Sequence, residues 1–358
     1  MCIRDSDSTV AEASTAQYVL ELSGQFGANE TAVVDLSLSN VDTNSADYLS
    51  FVAAVNAAVT NYGGSGTVAF DGTTLTFTAG ADGDSMSPLT IDLDAFDDTL
   101  VEGPEDYTIS ISNAASTTGG EVLLGAATLV TTTITDNDTA TWSITGDAVV
   151  AEGADAKYIV NLAGTLQAGE TVTIDLNIGN VTAIGADYGN FVTAVNDAIA
   201  AYTGPGTLAF DGTALTFTSD GSPMGDLCIE VEAIDDTLVE GNEDFQVSIA
   251  NPGSSTGSDV VAASTTIVTT TITDNDTATW SIVGDTVVAE GADAKYVVNL
   301  AGALQAGETA TIDLNIGNVS AIAADYGNFV TAVNDAICLL YTSPSPRDRT
   351  RSRMPSSA

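Results

Sequence analysis

The sequence is short of basic residues and has no histidine, and each shortage excludes a class of protein. Its 358 residues include 49 acidic and 7 basic side chains, which gives a formal net charge of −42. A chain this negative repels nucleic acid and anionic membrane surfaces, so we expect neither as a partner. Without histidine, imidazole catalysis and zinc sites of the usual kind are excluded. No apolar run is long enough to span a bilayer, so direct membrane insertion is not expected.

Cysteine is also scarce, and the three present cannot build a disulfide framework. Cys2 and Cys338 lie near the ends of the chain, which leaves Cys228 alone in its body. Because Cys228 falls in a segment with the pattern of a strand, we interpret it as a buried structural thiol and not as a nucleophile. Few cysteines together with many hard oxygen ligands are typical of an exported bacterial protein held together by calcium.

The alternation of apolar and polar residues predicts strands, with one exception. The apolar fraction of 44% is enough to offset the entropy of ordering the chain. Residues 171–178 alternate strictly and so place on one face Val172, Ile174, Leu176 and Ile178. We expect seven or eight short strands in each unit of about 138 residues, which fits an antiparallel sandwich. The exception is 191–202, whose apolar residues fall at helical spacing.

Two acidic strings recur in the chain at a spacing of 138 residues. DDTLVEGPEDY at 97–107 matches DDTLVEGNEDF at 235–245, and DND at 136–138 recurs at 274–276. Carboxylates this dense at predicted strand ends repel one another unless a multivalent cation neutralises them. The pattern therefore predicts a calcium-dependent module.

Aligning the chain with itself divides it into three repeats. We assign residues 7–138 to a first repeat with a clipped first strand, 139–276 to a complete second repeat, and 277–337 to the N-terminal half of a third. Residues 1–6 and 338–358 have no counterpart in any repeat. They resemble translated sequencing-adapter DNA, so we interpret them as an artefactual leader and tail of a fragment; a genuine basic tail is the alternative. The third repeat lacks both acidic strings, so we expect it to fold incompletely and not to hold calcium.

Five motifs of the second repeat occur in the order in which a known family has them. They are Glu152-Gly153, Ala186-Asp187-Tyr188, GTLAF at 206–210, IDDTLVEGNEDF at 234–245 and TITDND at 271–276. With these motifs the chain resembles the Calx-beta family, the immunoglobulin-like calcium-binding modules of sodium/calcium exchangers, integrin beta-4 and large bacterial surface proteins. The resemblance implies an all-β fold of tandem immunoglobulin-like antiparallel β-sandwiches, and the helical segment implies one short inserted helix in each.

The resemblance also implies a set of acidic calcium ligands in each of the first two repeats. In the first repeat they are Glu12, Asp47, Asp97, Asp98, Glu102, Glu105, Asp136 and Asp138. In the second repeat they are Glu152, Asp187, Asp235, Asp236, Glu240, Glu243, Asp274 and Asp276. One calcium ion takes about six to eight oxygens, so we expect two or more ions that share carboxylates. Asn275 stands where the family often has a third acid, which lowers the local charge. The alternative is a solvated acidic surface, which we invoke only for scattered acids such as Glu170.

These observations predict a calcium-binding structural module and not an enzyme. The last acids of one repeat directly precede the next repeat, so bound calcium should fix the angle between neighbours and stiffen the string of repeats. The expected partners are calcium ions, neighbouring repeats of the same chain and an unidentified adhesion target. The leading hypothesis is the stalk or spacer of a secreted or surface-attached bacterial adhesin. The alternatives are an accessory module of an exported hydrolase and a calcium sensor of a membrane transporter. Trp142 and Trp280 are predicted to be core residues of first strands.

Overall fold

The structure, a computed structural model, describes residues 1–5 and 9–342. Its contacts divide the chain into two compact units, Met1–Asp276 and Thr277–Ala358. The first unit contains the first two predicted repeats. Residue 6 of the predicted leader and residues 343–358 of the predicted tail lie outside the described residues. The interpretation of both ends as artefacts stays a prediction.

The described residues of the leader and the first repeat together contain ten strands, the first of them in the leader, and one helix. The elements are β1 (Cys2–Asp5), β2 (Thr9–Ala11), β3 (Thr15–Glu21), β4 (Thr31–Asn40), α1 (Phe51–Thr60), β5 (Thr67–Phe70), β6 (Thr74–Thr78), β7 (Leu89–Asp94), β8 (Leu100–Val101), β9 (Glu105–Ala115) and β10 (Leu129–Thr135). One sheet has the order β1-β3-β7 and the other β2-β10-β9-β4-β6-β5. Every pair within these sheets is antiparallel except β2 with β10, which is parallel.

The second repeat contains twelve strands and one helix. The elements are β11 (Ala140–Gly146), β12 (Val149–Ala151), β13 (Asp155–Ala163), β14 (Thr165–Leu166), β15 (Thr171–Asn180), α2 (Phe191–Ala201), β16 (Thr207–Phe210), β17 (Ala214–Thr218), β18 (Leu227–Glu232), β19 (Leu238–Val239), β20 (Glu243–Ser254), β21 (Val260–Ala262) and β22 (Ile267–Thr273). Its sheets have the orders β18-β13-β11-β21 and β12-β22-β20-β15-β17-β16. The predicted count of seven or eight strands was too low because four strands have only two or three residues.

The inward faces of the two sheets share one apolar core in each repeat. Alternation along β15 buries Val172, Ile174 and Leu176, as predicted, and Trp142 is fully buried in β11. The all-β fold is therefore confirmed. The prediction for Cys228 is wrong, because its side chain is exposed. On β18 the burial alternates residue by residue, and Cys228 takes an outward position between two buried neighbours.

The predicted inserted helix is present in each of the first two repeats. In the second repeat it starts at Phe191, where the Asn190 side chain accepts a hydrogen bond from the backbone N–H of Thr193 at 3.0 Å. Its apolar face contains the buried Phe191 and Val195 and packs beside β18.

The N-terminal residues take the place of the missing first strand of the first repeat. β1 pairs antiparallel with β3, with Asp5 opposite Tyr18, as β11 pairs with β13, with Gly146 opposite Tyr158. Ile3 is fully buried in this arrangement. An edge strand needs backbone hydrogen bonds and an inward apolar side chain, so residues without sequence similarity to β11 can fill this position.

The second unit contains β23 (Thr279–Gly284), β24 (Tyr296–Ala301), β25 (Ala303–Leu304) and α3 (Phe329–Thr342). β23 and β24 form an antiparallel pair. Ile282 is 61% exposed, although its counterpart Ile144 in the second repeat is only 2% exposed. Trp280, predicted to be a core residue, is half-buried. The incomplete folding of this unit in solution stays a prediction. Among the described residues, no helix is both long and apolar enough to cross a membrane.

Candidate metal centres

In each of the first two repeats, a parallel strand pair brings two distant acids to one sheet edge. β2 and β10 end together, so Glu12 and Asp136 are the next residues along two paired strands. The backbone N–H of Glu12 continues the ladder by donating to the Thr135 carbonyl at 3.1 Å. β12 and β22 end together in the same way and place Glu152 beside Asp274.

A third acid completes a compact cluster at each of these edges. The clusters consist of Glu12, Asp136 and Asp138 in the first repeat and Glu152, Asp274 and Asp276 in the second. Within each cluster, one carboxylate oxygen from every residue lies within 4.8 Å of the others. In both repeats the first aspartate accepts a hydrogen bond of 2.7 Å from the backbone N–H of the second, which fixes the turn between them.

The predicted Asp-Asp pair lies in the loop that precedes β8 in the first repeat and β19 in the second. Asp97 and Asp98 are exposed there. Asn137 Nδ2 donates to Asp97 Oδ1 at 2.8 Å, and in the second repeat Asn275 Nδ2 donates to Asp235 Oδ1 at 2.9 Å. The asparagine between two aspartates therefore ties this loop to the cluster. The sequence interpretation treated Asn275 only as a lost charge and missed this role.

Two glutamates of the first repeat lie buried beside the cluster. Glu102 and Glu105 are 7% and 9% exposed. The backbone N–H of Glu102 donates to Asp136 Oδ2 at 2.8 Å, which joins the glutamate segment to the cluster. The charge of Asp47, also a predicted ligand, repels that of Glu105 and helps to raise its pKa. The structure thus gathers acids from four separate segments around one site.

Burial and mutual repulsion raise the pKa values of several acids in the first repeat. Burial, with added repulsion from Asp136 and Asp98, raises the pKa of Glu12 to about 7. Burial raises the pKa of Glu102 to about 7 and that of Glu105 to about 8. These repulsions link all eight predicted ligands of this repeat to one another. Without a cation, the cluster can form only by keeping several protons near neutral pH.

The acids of the second repeat are arranged in the same way. Burial and the neighbouring Asp274 raise the pKa of both Glu152 and Asp276. The mutual repulsion in this repeat connects Glu152, Asp235, Asp236, Glu240, Asp274 and Asp276. Asp187 is held next to them because its carbonyl accepts from the backbone N–H of Ile234 at 2.8 Å. Glu243, the last predicted ligand, opens β20.

The chemistry of both clusters fits a divalent cation. Glu12 Oε2 and Asp138 Oδ2 are buried and have no hydrogen-bond partner, and the same is true of Glu152 Oε2 and Asp276 Oδ2. Glu12 as a whole is 7% exposed, so water cannot replace the missing partner freely. Burying an unpaired carboxylate is unfavourable unless a positive charge compensates it. Hard oxygens gathered in this way are the donors that calcium prefers.

One neutral side chain from the second repeat also reaches the acids of the first. Gln167 Nε2 donates to Glu102 Oε1 at 2.7 Å and to Glu105 Oε1 at 3.2 Å. Sequence reasoning missed Gln167 because a single glutamine belongs to no metal-binding motif. The available signal was its recurrence as Gln305, at the same spacing of 138 residues as the acidic strings.

Comparison with known protein families matches one segment in each of the first two repeats. The model of the Calx-beta domain matches residues 63–138 and 208–276, one segment in each of the first two repeats. A search of curated protein sequences gives no significant match.

Among solved structures, the chain is similar to Salmonella alpha-2-macroglobulin reacted with methylamine, at 8% identity and a TM-score of 0.21, over 79% of this chain and 17% of that one. It is also similar to a marsupial T cell receptor, at 10% identity and a TM-score of 0.21, over 81% of this chain and 77% of that one. Similarities this weak say nothing about function.

Proposed function

Because two segments of this chain match the Calx-beta domain in tandem, we propose that it is a calcium-binding structural module whose ions stabilise the repeats and their junctions. The observation that carries the proposal is the cluster of Glu12, Asp136 and Asp138, whose oxygens converge while Glu12 Oε2 and Asp138 Oδ2 stay buried and unpartnered. A calcium ion would supply the positive charge that these oxygens lack. The eight acids of each repeat are the residues proposed to hold it.

The position of the first cluster supports a role at the junction between repeats. Asp138 is followed by Thr139, and β11 of the second repeat begins at Ala140. Thr139 Oγ1 donates to Asp259 Oδ2 at 3.1 Å, and the backbone N–H of Ala140 donates to the Asp259 carbonyl at 2.9 Å. The chain therefore passes from the proposed ligands into the second sandwich within two residues. A cation bound there would restrict the hinge.

The expected calcium affinity also bears on the cellular location of the protein. Extracellular calcium modules bind with dissociation constants of about 0.1 to 1 mM, so the ions would be retained outside the cell and lost in a cytosol low in calcium. We propose a secreted or surface-attached bacterial protein in which these repeats form the spacer of an adhesin. The partners in this proposal are calcium, neighbouring repeats of the same chain and an unidentified adhesion target that another part of the protein would bind. The same acidic cluster in successive repeats favours a structural role over catalysis.

The test is thermal unfolding of the full chain in about 10 mM calcium and in chelator. With dissociation constants of about 0.1 to 1 mM, each site would stabilise the fold by about 1.4 to 2.7 kcal/mol. We expect circular dichroism to show a higher melting temperature in calcium, and magnesium at the same concentration to give a smaller rise. Small-angle scattering should show reduced flexibility with calcium.

A matched variant separates site binding from a general salt effect. Glu12→Gln together with Glu152→Gln removes one proposed ligand from each cluster and should abolish most of the difference between calcium and chelator. Identical melting curves of the unsubstituted chain in the two conditions would refute the proposal.

A further inference from the structure

We propose that Gln167, a residue of the second repeat, is a positioning residue of the metal centre in the first repeat, so that docking of the repeats and calcium binding strengthen each other. The inference rests on the proposed function. Gln167 Nε2 bridges Glu102 Oε1 and Glu105 Oε1 at 2.7 and 3.2 Å. The first site is therefore incomplete until the second repeat has docked.

The backbone fixes Gln167 in place for this contact. β14 of the second repeat pairs in parallel with β8 of the first, with Leu166 opposite Val101. Directly after this pair, the backbone N–H of Gln167 donates to the Val101 carbonyl at 3.2 Å. The side chain thus projects from an ordered strand end and not from a free loop, so its bridge costs little additional conformational entropy.

The segment that carries Glu102 and Glu105 is itself seated on the second repeat. Val101 is 1% exposed and belongs to the apolar core of the second repeat. A Cβ at Gly103 would lie 2.3 Å from the Thr256 carbonyl oxygen, so the two backbones are in direct contact there.

The surface of the second repeat beneath this segment is built by a buried acid. Glu170 is 8% exposed and accepts hydrogen bonds from Thr256 Oγ1 and Ser258 Oγ. The assignment of Glu170 to the solvated surface was therefore wrong. Its hydrogen bonds hold the Thr256 segment in the position against which Gly103 packs.

The chemistry of an amide suits this position. Two adjacent carboxylates repel each other, and a donor that bridges them offsets part of that repulsion without adding a charge. A lysine would neutralise the acids and compete with a cation, whereas glutamine leaves their negative charge intact. Gln167 engages only one oxygen of each glutamate, so the other oxygens can serve a metal ion.

Docking of the second repeat and calcium binding to the first must strengthen each other reciprocally, because the two equilibria are thermodynamically linked. If docking of Gln167 orders the ligands, bound calcium must stabilise docking by the same factor. The same glutamine recurs in the sequence, since Gln305 occupies the position of Gln167 in the third repeat. In the first repeat that position is Gly27, so the first repeat cannot supply the bridge.

Hydrogen exchange of the full chain during a calcium titration tests the inference site by site. Residues 98–105 report on the first centre, because the Glu102 amide is bonded to Asp136, and residues 236–243 report on the second, because the Glu240 amide is bonded to Asp274. Gln167→Ala should raise the calcium midpoint of 98–105 about tenfold, the usual effect of losing a hydrogen bond to a charged group. The midpoint of 236–243 should stay unchanged.

Two further variants distinguish donation from space filling. Gln246→Ala makes the same change in the second repeat at a glutamine that donates to Thr269, and it should move neither midpoint. Gln167→Glu keeps the shape but replaces the donor with a third carboxylate. In chelator, protection of residues 164–168 should therefore be greatest in the unsubstituted chain, lower in Gln167→Ala and lowest in Gln167→Glu. Equal protection in the unsubstituted chain and in Gln167→Glu would show a space-filling role and overturn the inference.

The outcomes also separate this inference from the proposed function. Calcium protection of both segments with an unchanged midpoint in Gln167→Ala would overturn the inference and leave the proposed function standing. Absence of calcium protection in both segments of the unsubstituted chain would overturn both. Calcium protection of 164–168, a segment without proposed ligands, that disappears in Gln167→Ala would support the coupling directly.

Discussion

Calcium binding to the first repeat should weaken steeply as the pH falls from 8 to 6. Burial and neighbouring carboxylates raise the pKa of Glu12 to about 7, and burial does the same for Glu102. In the metal-free protein, each group would be about one-tenth protonated at pH 8 and about nine-tenths protonated at pH 6. A cation must displace those protons before it can bind carboxylate.

The size of the loss in calcium affinity follows from the number of protons that the cation displaces. A group with a pKa of about 7 weakens apparent binding about tenfold between pH 8 and pH 6, so Glu12 and Glu102 together predict about a hundredfold. Glu105, whose pKa burial raises to about 8, would add to this loss. The groups interact, so the protons leave in steps that belong to the cluster as a whole.

The metal-free protein should show the opposite dependence. A carboxyl whose pKa is higher in the folded than in the unfolded state stabilises the fold below the unfolded value and loses that contribution as the pH rises through the folded value. For Glu12 the two values are 4.5 and about 7. In chelator, stability should therefore fall from pH 5 to pH 8, while calcium at saturating concentration should cancel the fall.

Calorimetric calcium titrations of the full chain at pH 6, 7 and 8 measure how calcium affinity depends on pH. Thermal unfolding in chelator over the same range measures how the stability of the metal-free protein depends on pH. Titrations in buffers of different ionisation enthalpy would count the protons released. A calcium affinity that is the same at pH 6 and pH 8 would refute the reasoning. So would a metal-free protein that becomes more stable as the pH rises through 7.

Three further predictions test particular side chains. Glu12→Gln should raise the melting temperature in chelator, because it removes a buried charge that its neighbours repel. In saturating calcium the same change should lower the melting temperature. The control Glu121→Gln, at an exposed acid, should leave both melting temperatures unchanged. Gly103→Ala should separate the first two repeats, because the new Cβ would lie 2.3 Å from a backbone oxygen of the second repeat. Proteolysis near residue 139 should therefore be faster. The control Gly185→Ala, whose Cβ would have no atom within 4 Å, should leave the rate of proteolysis unchanged. Cys228 should be alkylated in the native protein nearly as fast as in denaturant, as peptide mass spectrometry would show, since it is exposed.

Much of the fold could be predicted because it depends on local patterns. The alternation in β15 and the helical spacing of 191–202 each specify which face is buried, and the structure has the elements there. Cys228 was placed wrongly because it interrupts no pattern by itself: its neighbours Leu227 and Ile229 are the inward residues of β18. Counting the register through the strand, instead of judging the residue by its hydrophobicity, would have placed it outward.

The acidic cluster could be predicted from the recurrence of its strings, but its surroundings could not. That Glu12 meets Asp136 depends on one parallel strand pair in an otherwise antiparallel pair of sheets, which no local pattern specifies. The contact of Gln167 with Glu102 depends on how two folded repeats dock, so it requires both sandwiches to be built first.

The two centres have the same ligand types in the same order, yet their environments differ, and we expect them to differ in function. In the first repeat, Glu102 is buried. Its counterpart in the second repeat, Glu240, is half-buried, as is Glu152, the counterpart of the buried Glu12. Desolvation raises the pKa of a carboxyl and also strengthens its attraction to a cation. The first centre should therefore bind calcium with the steeper pH dependence, and site-resolved hydrogen exchange at pH 6 and pH 8 should show the midpoint of 98–105 moving further than that of 236–243. Equal shifts in the two segments would mean that the ligand sequence alone, and not its burial, determines how these sites bind.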